Sequence, residues 1–267
     1  MSRPGWLPMA LAETVVQTKL LLRNPVSAFF TLVMPLLFMV MLNFFVGGNT
    51  LSDGAPLSNY FVPAIAVFGL VTATFTNLTI STAIARDNGV LKRVYGTPMP
   101  LSAHVAGRVF SATLLGLASV VLMFVIGTFA FDVDIPWSRM PMLLLALLLG
   151  AACFSALGVA MSMVAPNGKA APAVANAVIF PLSFVSGIFF ALSEAPSWLQ
   201  TVGRALPMGP LVEVATDQFI PWLIEDSPWG RLAIVAAWGV VGVLLAVKLF
   251  KWEPARSGQR QSAEIDT

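Results

Sequence analysis

Residues 60–85 read YFVPAIAVFGLVTATFTNLTISTAIA, an apolar run without a charged side chain. A helix needs about 20 predominantly apolar residues to cross the hydrocarbon core of a bilayer, so this run is long enough to span it. The whole chain has the same character: of its 267 residues, 57% are hydrophobic and 10% are charged, and the mean hydropathy is +0.83. A soluble domain of this length could not bury so much apolar surface. The composition therefore predicts an integral membrane protein.

Five further runs are similarly long and apolar, which predicts an all-α membrane domain of six spanning helices within residues 27–250. The six runs are 27–46, 60–85, 105–131, 141–165, 170–192 and 231–250. Their central parts contain no ionisable side chain, and His104 and Arg108 stand at the start of the third run. We expect both of these side chains to lie in the interface, Arg108 by extending towards water.

Lysine and arginine are distributed unequally between the two ends of the predicted helices. If the N-terminus is cytoplasmic, 12 of the 15 basic residues fall on cytoplasmic segments, the exceptions being Arg139, Arg204 and Arg231. Cytoplasmic segments of membrane proteins are enriched in lysine and arginine in this way. The distribution predicts that both termini are cytoplasmic and that residues 251–267 form a polar cytoplasmic tail.

Two segments outside the spans have helical patterns of their own. In residues 1–26, apolar side chains are interrupted by Glu13, Gln17, Lys19 and Arg23, which predicts an amphipathic helix lying in the cytoplasmic interface. Residues 193–230 contain five prolines, three tryptophans and five acidic residues. Their apolar positions recur at helical spacing but are too few to span, so we expect short interfacial or re-entrant external helices.

The sequence lacks the motifs of an intramembrane enzyme and of an ATPase. It contains no HExxH and no paired carboxylates or metal-ligating cluster within the spans, so neither a catalytic site nor a metal site is predicted. The fragment PNGKA resembles a phosphate-binding loop, but Met163 replaces the first glycine and Ala170 the Ser/Thr. The absence of ionisable residues from the centres of the spans also disfavours an ion-coupled secondary transporter. Because the chain has no complete phosphate-binding loop, any energy derived from ATP would have to come from another polypeptide.

Residues 86–100, RDNGVLKRVYGTPMP, form a polar segment between the second and third runs. Asp87 or Asn88 is placed to cap a short helix, and glycine and proline residues end that helix before the third span. The simplest interpretation is a basic loop that follows the positive-inside distribution. However, a plain loop does not need an apolar stripe bounded by glycine and proline, so we predict a cytoplasmic helix of about two turns.

Three pieces of the chain together resemble the permeases of the ABC-2 family, the membrane subunits of one class of ATP-binding-cassette exporters. They are LLLRNP at 20–25, NGVLKRVYGTPMP at 88–100 and FPLSFVSGIFFALSEAPSWLQTVGRALPMGPLVEVATDQF at 180–219. The version found here is similar to the daunorubicin-resistance type of bacterial drug exporter. The resemblance implies an ATP-driven exporter of a drug-like or lipid-like substrate in the bacterial cytoplasmic membrane. Export of a polysaccharide or glycolipid, or ion-coupled transport, is the alternative.

The resemblance also implies partners and a docking site. Two ATPase subunits would bind ATP and Mg²⁺, a second permease would complete a homo- or heterodimer, and no contact with nucleic acid is expected. The segment at about 87–97 would be a coupling helix that docks on the ATPase. The residues predicted for this contact are Asp87, Val90, Leu91, Lys92, Arg93 and Val94.

The family generally lines its substrate path with the second and fifth spans. Aromatic and hydroxyl side chains at helical spacing in these spans suit an amphipathic cargo. The predicted path residues are Phe68, Thr72, Phe75, Thr76, Thr79, Asn176, Phe180, Ser183 and Phe184. The alternative interpretation is that the Thr and Ser hydroxyls bind their own or neighbouring helices.

Overall fold

The computed structural model describes residues 5–23, 29–46, 48–50, 54, 56–97, 99–220 and 227–249. Within these residues the chain is a helical bundle. The predicted tail at 251–267 lies outside the described part. The helices are α1 (Trp6–Leu22), α2 (Met34–Val46), α3 (Leu57–Asp87), α4 (Val90–Tyr95), α5 (Leu101–Phe131), α6 (Met140–Val164), α7 (Ala171–Val185), α8 (Ser197–Ala205), α9 (Met208–Phe219) and α10 (Pro228–Leu249).

Four of these helices, α3, α5, α10 and the segment Trp137–Val164 that contains α6, are long and apolar enough to cross a membrane. Two further apolar helices, Thr31–Phe45 and Ala171–Val185, are shorter. They correspond to the first and fifth predicted spans. The chain is therefore a multi-pass integral membrane protein, and its described residues include four helices of spanning length and two shorter apolar helices.

Helix α3 occupies the centre of the bundle. Its most hydrophobic 18-residue window is 83% buried, and it contacts α2, α5, α6, α7 and α9. Glycines on its neighbours allow close approach: a Cβ on Gly158 of α6 would lie 2.7 Å from the Phe75 carbonyl oxygen. Small residues at helix contacts are the usual packing device inside membranes. At Thr72–Thr76 one π-helical turn interrupts α3.

The fifth predicted span ends earlier than expected, because α7 stops at Val185 and the chain turns at Gly187, whose φ is +77°. Tyr60, near the start of α3, donates its hydroxyl proton to the carbonyls of Gly187 and Phe190. Residues 186–191, predicted as helix, are thus a turn held against α3. A left-handed φ at this position requires glycine because a Cβ would crowd the backbone.

The segment predicted to be external forms the two short helices α8 and α9, in agreement with its helical spacing. Helix α9 packs against α3, α6 and α10 and buries most of its side chains within the bundle. A Cβ on Gly209 would lie 2.2 Å from the Gly203 carbonyl oxygen, which shows how tightly α8 folds onto α9.

Helix α1 runs alongside the first turns of α5. Its Trp6 indole donates to the Ser102 hydroxyl at 3.0 Å, and Thr18 shares a hydrogen bond of 2.8 Å with Ser111. The predicted segregation of charges towards the membrane surface is only partly present, since Glu13 faces α5 and is half-buried. The exposed surface of α1 is largely apolar. Its exposed large apolar side chains are Trp6, Leu7, Leu11, Val15, Val16, Leu20 and Leu22.

Candidate functional site

The segment that joins α3 to α5 contains the short helix α4, within the residues predicted to be helical. It begins after Gly89, whose φ of 68° is left-handed and therefore favours glycine. It ends at Gly96, and the Thr97 hydroxyl donates to the Val94 carbonyl at 2.7 Å. The expected cap by Asp87 or Asn88 is wrong, because neither side chain caps this helix. The start of α4 is thus determined by the glycine turn and not by a side-chain cap.

The predicted docking side chains do not all face outward. Leu91 is only 1% exposed and anchors α4 from inside, whereas Val90 is 37% exposed and Val94 is half-buried. Lys92 and Arg93 are exposed. The outer surface of α4 therefore offers one exposed and one partly exposed valine beside two cations. We call the bundle end that carries α4 the basic end; its cations include Arg86, Lys92, Arg93, Lys169 and Lys248.

Arg86, at the end of α3, caps the C-terminus of α6. Its side chain is buried, and its guanidinium donates to the carbonyls of Ser162 at 3.1 Å and Ala165 at 2.6 Å. The last carbonyls of a helix have no partner within the helix, and the helix dipole makes this end negative. The buried guanidinium of Arg86 both donates to these carbonyls and offsets the negative end of the helix dipole. The sequence signal was a charge directly after an apolar run, which we interpreted as topology alone.

Asp87 makes a second bond between the same elements. Its Oδ2 accepts a hydrogen bond of 2.5 Å from the Gly168 amide in the connection between α6 and α7. This connection passes close to α3, since a Cβ on Gly168 would lie 3.0 Å from the Ile84 Cα. The residues before α4 therefore bind α3 to the α6–α7 connection. We call the contacts of Arg86 and Asp87 the basic-end joint.

A cavity of about 1040 Å³ lies between α1, α2, α3, α5 and α7. Asn88 and Val90 of the α4 segment are among the residues that line it, so the cavity reaches the basic end. Much of the lining is aliphatic or aromatic, with interspersed hydroxyl and amide groups. The predicted path residues in the lining are Phe68, Thr72, Thr76, Asn176 and Phe180.

The π-helical turn of α3 lies against this cavity. The hydroxyls of Thr72 and Thr76, at the two ends of the turn, are buried and have no hydrogen-bond partner among the described residues. A π turn inside an α-helix is uncommon and is frequently found at functional sites. Both threonines line the cavity, but their hydroxyl oxygens are not accessible from it.

The four other predicted path residues lie elsewhere. Thr79 donates to the Phe75 carbonyl at 2.8 Å and to the Gly158 carbonyl at 3.1 Å, and Ser183 donates to the Ile179 carbonyl at 2.7 Å. These two hydroxyls therefore have the alternative role of binding their own or a neighbouring helix. Phe75 lines a second cavity, of about 450 Å³, and Phe184 is exposed. The structure does not bring these four into the larger cavity.

An aromatic cluster joins α2, α3 and the turn after α7. The Phe189 ring lies 6.5 Å from Phe38, 6.4 Å from Phe68 and 5.0 Å from Phe184, measured between ring centroids. Phe38 and Phe68 also line the larger cavity. Sequence analysis did not select Phe189, because it assigned this position to a continuous fifth span.

A polar cluster lies between α1 and α5, about two turns inside the basic end. The Glu13 Oε1 lies 3.0 Å from the His104 Nδ1 and accepts a hydrogen bond of 2.6 Å from Gln17. Burial alone would raise the pKa of Glu13, but the contacts with His104 and Gln17 outweigh it and hold that pKa below its ordinary value. Arg108 is buried and donates to the Ser81 hydroxyl at 2.9 Å. The expected extension of Arg108 towards water is wrong.

The opposite end of the bundle contains a network of ion pairs. Arg204 of α8 lies 2.9 Å from Glu213 of α9, and Arg231 of α10 pairs with both Glu213 and Asp217. Glu213 and Asp217 thus tie the short helices α8 and α9 to α10.

Comparison with known proteins identifies one family. The sequence profile described as "ABC-2 type transporter" matches residues 11–220, which include α3, the basic-end joint, α4 and most of the cavity lining.

Relatives from bacteria are similar at low identity. YvfS of Bacillus subtilis (strain 168), whose name describes a transport permease, is 23% identical over 195 residues, 73% of this chain and 79% of YvfS. The daunorubicin resistance ABC transporter permease protein DrrB1 of Streptomyces coeruleorubidus is 25% identical over 186 residues, 69% of this chain and 65% of DrrB1. The inner membrane transport permease YadH of Escherichia coli (strain K12) is 24% identical over 237 residues, 86% of this chain and 88% of YadH.

Proposed function

The chain belongs to the ABC-2 type transporter family, and from this premise we propose that it is the permease subunit of an ATP-driven exporter. Its cargo would be an amphipathic, drug-like or lipid-like molecule, moved across the bacterial cytoplasmic membrane. One observation carries the proposal: helix α4 directly follows the two residues, Arg86 and Asp87, that bind α3 to α6 and to the α6–α7 connection, and Asn88 and Val90 of the α4 segment line a large cavity. A displacement of α4 would therefore be transmitted to the residues that line the cavity.

The energy source in this proposal is a separate pair of ATPase subunits that bind ATP and Mg²⁺. Val90 and the exposed part of Val94 would supply apolar contact to the ATPase, with Lys92 and Arg93 at the rim. The basic end would then be cytoplasmic, in agreement with the distribution of lysine and arginine. A second permease, identical or different, would complete the complex.

The character of the cavity supports an amphipathic cargo. Ligand sites are typically about 300–1000 Å³ and mainly apolar with few polar groups, and this cavity is similar in size and in its largely apolar lining. The name of DrrB1 refers to daunorubicin resistance, which favours a drug-like molecule. A polysaccharide would need a more continuous lining of polar groups.

The coupling role is tested by replacing Val90 and Val94 with aspartate in the full-length permease. Two buried charges at the contact would oppose docking, so we expect co-purification with a candidate ATPase subunit to fall at least tenfold. ATP-dependent uptake into inside-out vesicles should fall in parallel. Threonine at both positions is the matched control, because it keeps the shape without the charge. Undiminished association and uptake would refute docking at α4.

A second candidate function has one specific observation in its favour. Glu13, His104 and Arg108 form an ionisable cluster inside the protein, and such clusters occur in ion-coupled transporters. Uptake driven by a proton gradient without ATP, and lost in Glu13→Gln, would support that alternative. Uptake that requires ATP and persists when the gradient is dissipated would exclude it.

A further inference from the structure

The large cavity contains a single charged side chain among the described residues that line it. This residue is Arg108, which is 7% exposed and lies on α5 about 10 Å from the basic end of the bundle. No carboxylate lines the cavity within the described part of the chain. Arg108 is therefore the charged group that faces the cavity, while Glu13 lies near it on α1 but outside the lining.

Arg108 is incompletely satisfied by its own protein. A guanidinium carries five N–H donors, and the described residues show one hydrogen bond, to Ser81. Glu13, the nearest relevant carboxylate on α1, is bonded to His104 and Gln17 and makes no direct ion pair with Arg108. Burying a cation without a directly bonded anion is unfavourable, and ionisable residues within membrane helices are usually functional.

The remainder of the cavity is suited to an apolar chain. Phe68 lies 13 residues before Ser81 on α3, which places it about 20 Å along the helix from the level of Arg108. Phe38 and Phe180 add aromatic surface, and the unpaired hydroxyls of Thr72 and Thr76 lie between the two ends. The cavity thus has a cationic site near one end and an aromatic region about 20 Å away.

We propose that this cavity binds an amphiphile with a negatively charged head group, which Arg108 holds while the apolar tail extends towards Phe68. Carboxylate, sulfate and phosphate groups share the required chemistry, because each accepts charge-assisted hydrogen bonds from a guanidinium. Amphiphiles with a cationic head are repelled. This inference rests on the proposed function for its transport consequence, but binding itself requires only the permease.

Matched fluorescent probes test the proposal. Purified full-length permease in nanodiscs of phosphatidylcholine is titrated with dansyl-labelled undecanoic acid, with its methyl ester and with an analogue that ends in a quaternary ammonium. We expect the acid to bind at least tenfold more tightly than either analogue. Arg108→Gln should remove this preference and Arg108→Lys should retain part of it. Lys248→Gln, an exposed cation at the same end outside the cavity lining, should leave the preference unchanged.

Equal binding of acid and ester by the native protein would overturn the proposal, and so would a preference that persists in a folded Arg108→Gln variant. If that variant does not fold, the comparison of the three probes on the native protein still decides. Nanodiscs with phosphatidylglycerol distinguish two sources of the ligand: competition at the Arg108 site indicates an acidic phospholipid, and its absence indicates a single-chain acid. Because no ATPase is present, failure here leaves the coupling proposal intact, and failed docking at α4 leaves this one intact.

Discussion

Arg86 is the residue on which the basic end depends most directly. Its guanidinium binds carbonyls from the last turn of α6 and the residue after it, in a buried position where water would not replace them. A lysine could not serve equally well, since its compact ammonium lacks the planar fork that reaches several carbonyls at once. The side chain therefore has a structural role. This role cannot be predicted from its position at the edge of an apolar run.

Replacing Arg86 with methionine should destabilise the permease by about 3 kcal/mol, because it leaves buried carbonyls without charged donors. The measurement is thermal unfolding of the purified protein in neutral detergent. Arg93→Met is the control, since Arg93 is exposed and makes a single local hydrogen bond to the Asn88 carbonyl. Equal effects of the two substitutions would show that the capping of α6 by Arg86 contributes little to stability.

Helix α4 is only six residues long, so its position depends on how it is entered and what it packs against. Gly89 provides a left-handed turn after α3, and Leu91 fills a buried site. An isolated helix of this length is not stable in water. The fixed orientation of α4 therefore comes from the turn and from the anchor, and these leave Val90, Lys92 and Arg93 outside.

Gly89→Val should disturb this orientation through backbone strain of about 1–2 kcal/mol, since a Cβ there meets no atom within 4 Å but a left-handed φ disfavours branched residues. We expect association with the ATPase to weaken about tenfold while the acid probe still binds the cavity. Gly96→Val is the matched control, because Gly96 has an ordinary φ and room for a Cβ. Equal association by both variants would argue against a fixed α4.

At the scale of the whole molecule, hydropathy was sufficient to predict a helical membrane protein, because apolar runs of spanning length are a direct consequence of the bilayer. Residue patterns also predicted α4, α8 and five of the nine path residues that line the large cavity. Contacts between segments distant in the chain could not be predicted from the sequence. Nothing local in the sequence pairs Asp87 with Gly168 or Tyr60 with Gly187. Leu91 and Val90 are both apolar, so the sequence does not indicate that Leu91 is buried and Val90 exposed.

The inward positions of Arg108 and Thr79 have the same explanation. A helical pattern gives the face on which a side chain lies but not which neighbour covers that face. Thr79 binds Gly158 of α6 because glycine lets the two helices approach, and Arg108 faces a cavity formed by five helices. Both facts depend on packing of the complete bundle.

In the proposed mechanism, motion enters at α4 and reaches the cavity through the basic-end joint. Asp87→Ala removes the hydrogen bond to Gly168 and the 3.7 Å ion pair with Arg86, while leaving Val90, Val94 and the cations of α4 in place. Permease and ATPase are reconstituted together in proteoliposomes, and transport of a panel of fluorescent amphiphiles is measured relative to ATP hydrolysed, with exposed Asp134→Ala as the control. If the joint transmits the motion of α4, the ratio of transport to hydrolysis should be about tenfold lower for Asp87→Ala and unchanged for Asp134→Ala. A ratio for Asp87→Ala equal to that of the native complex would rule this transmission out.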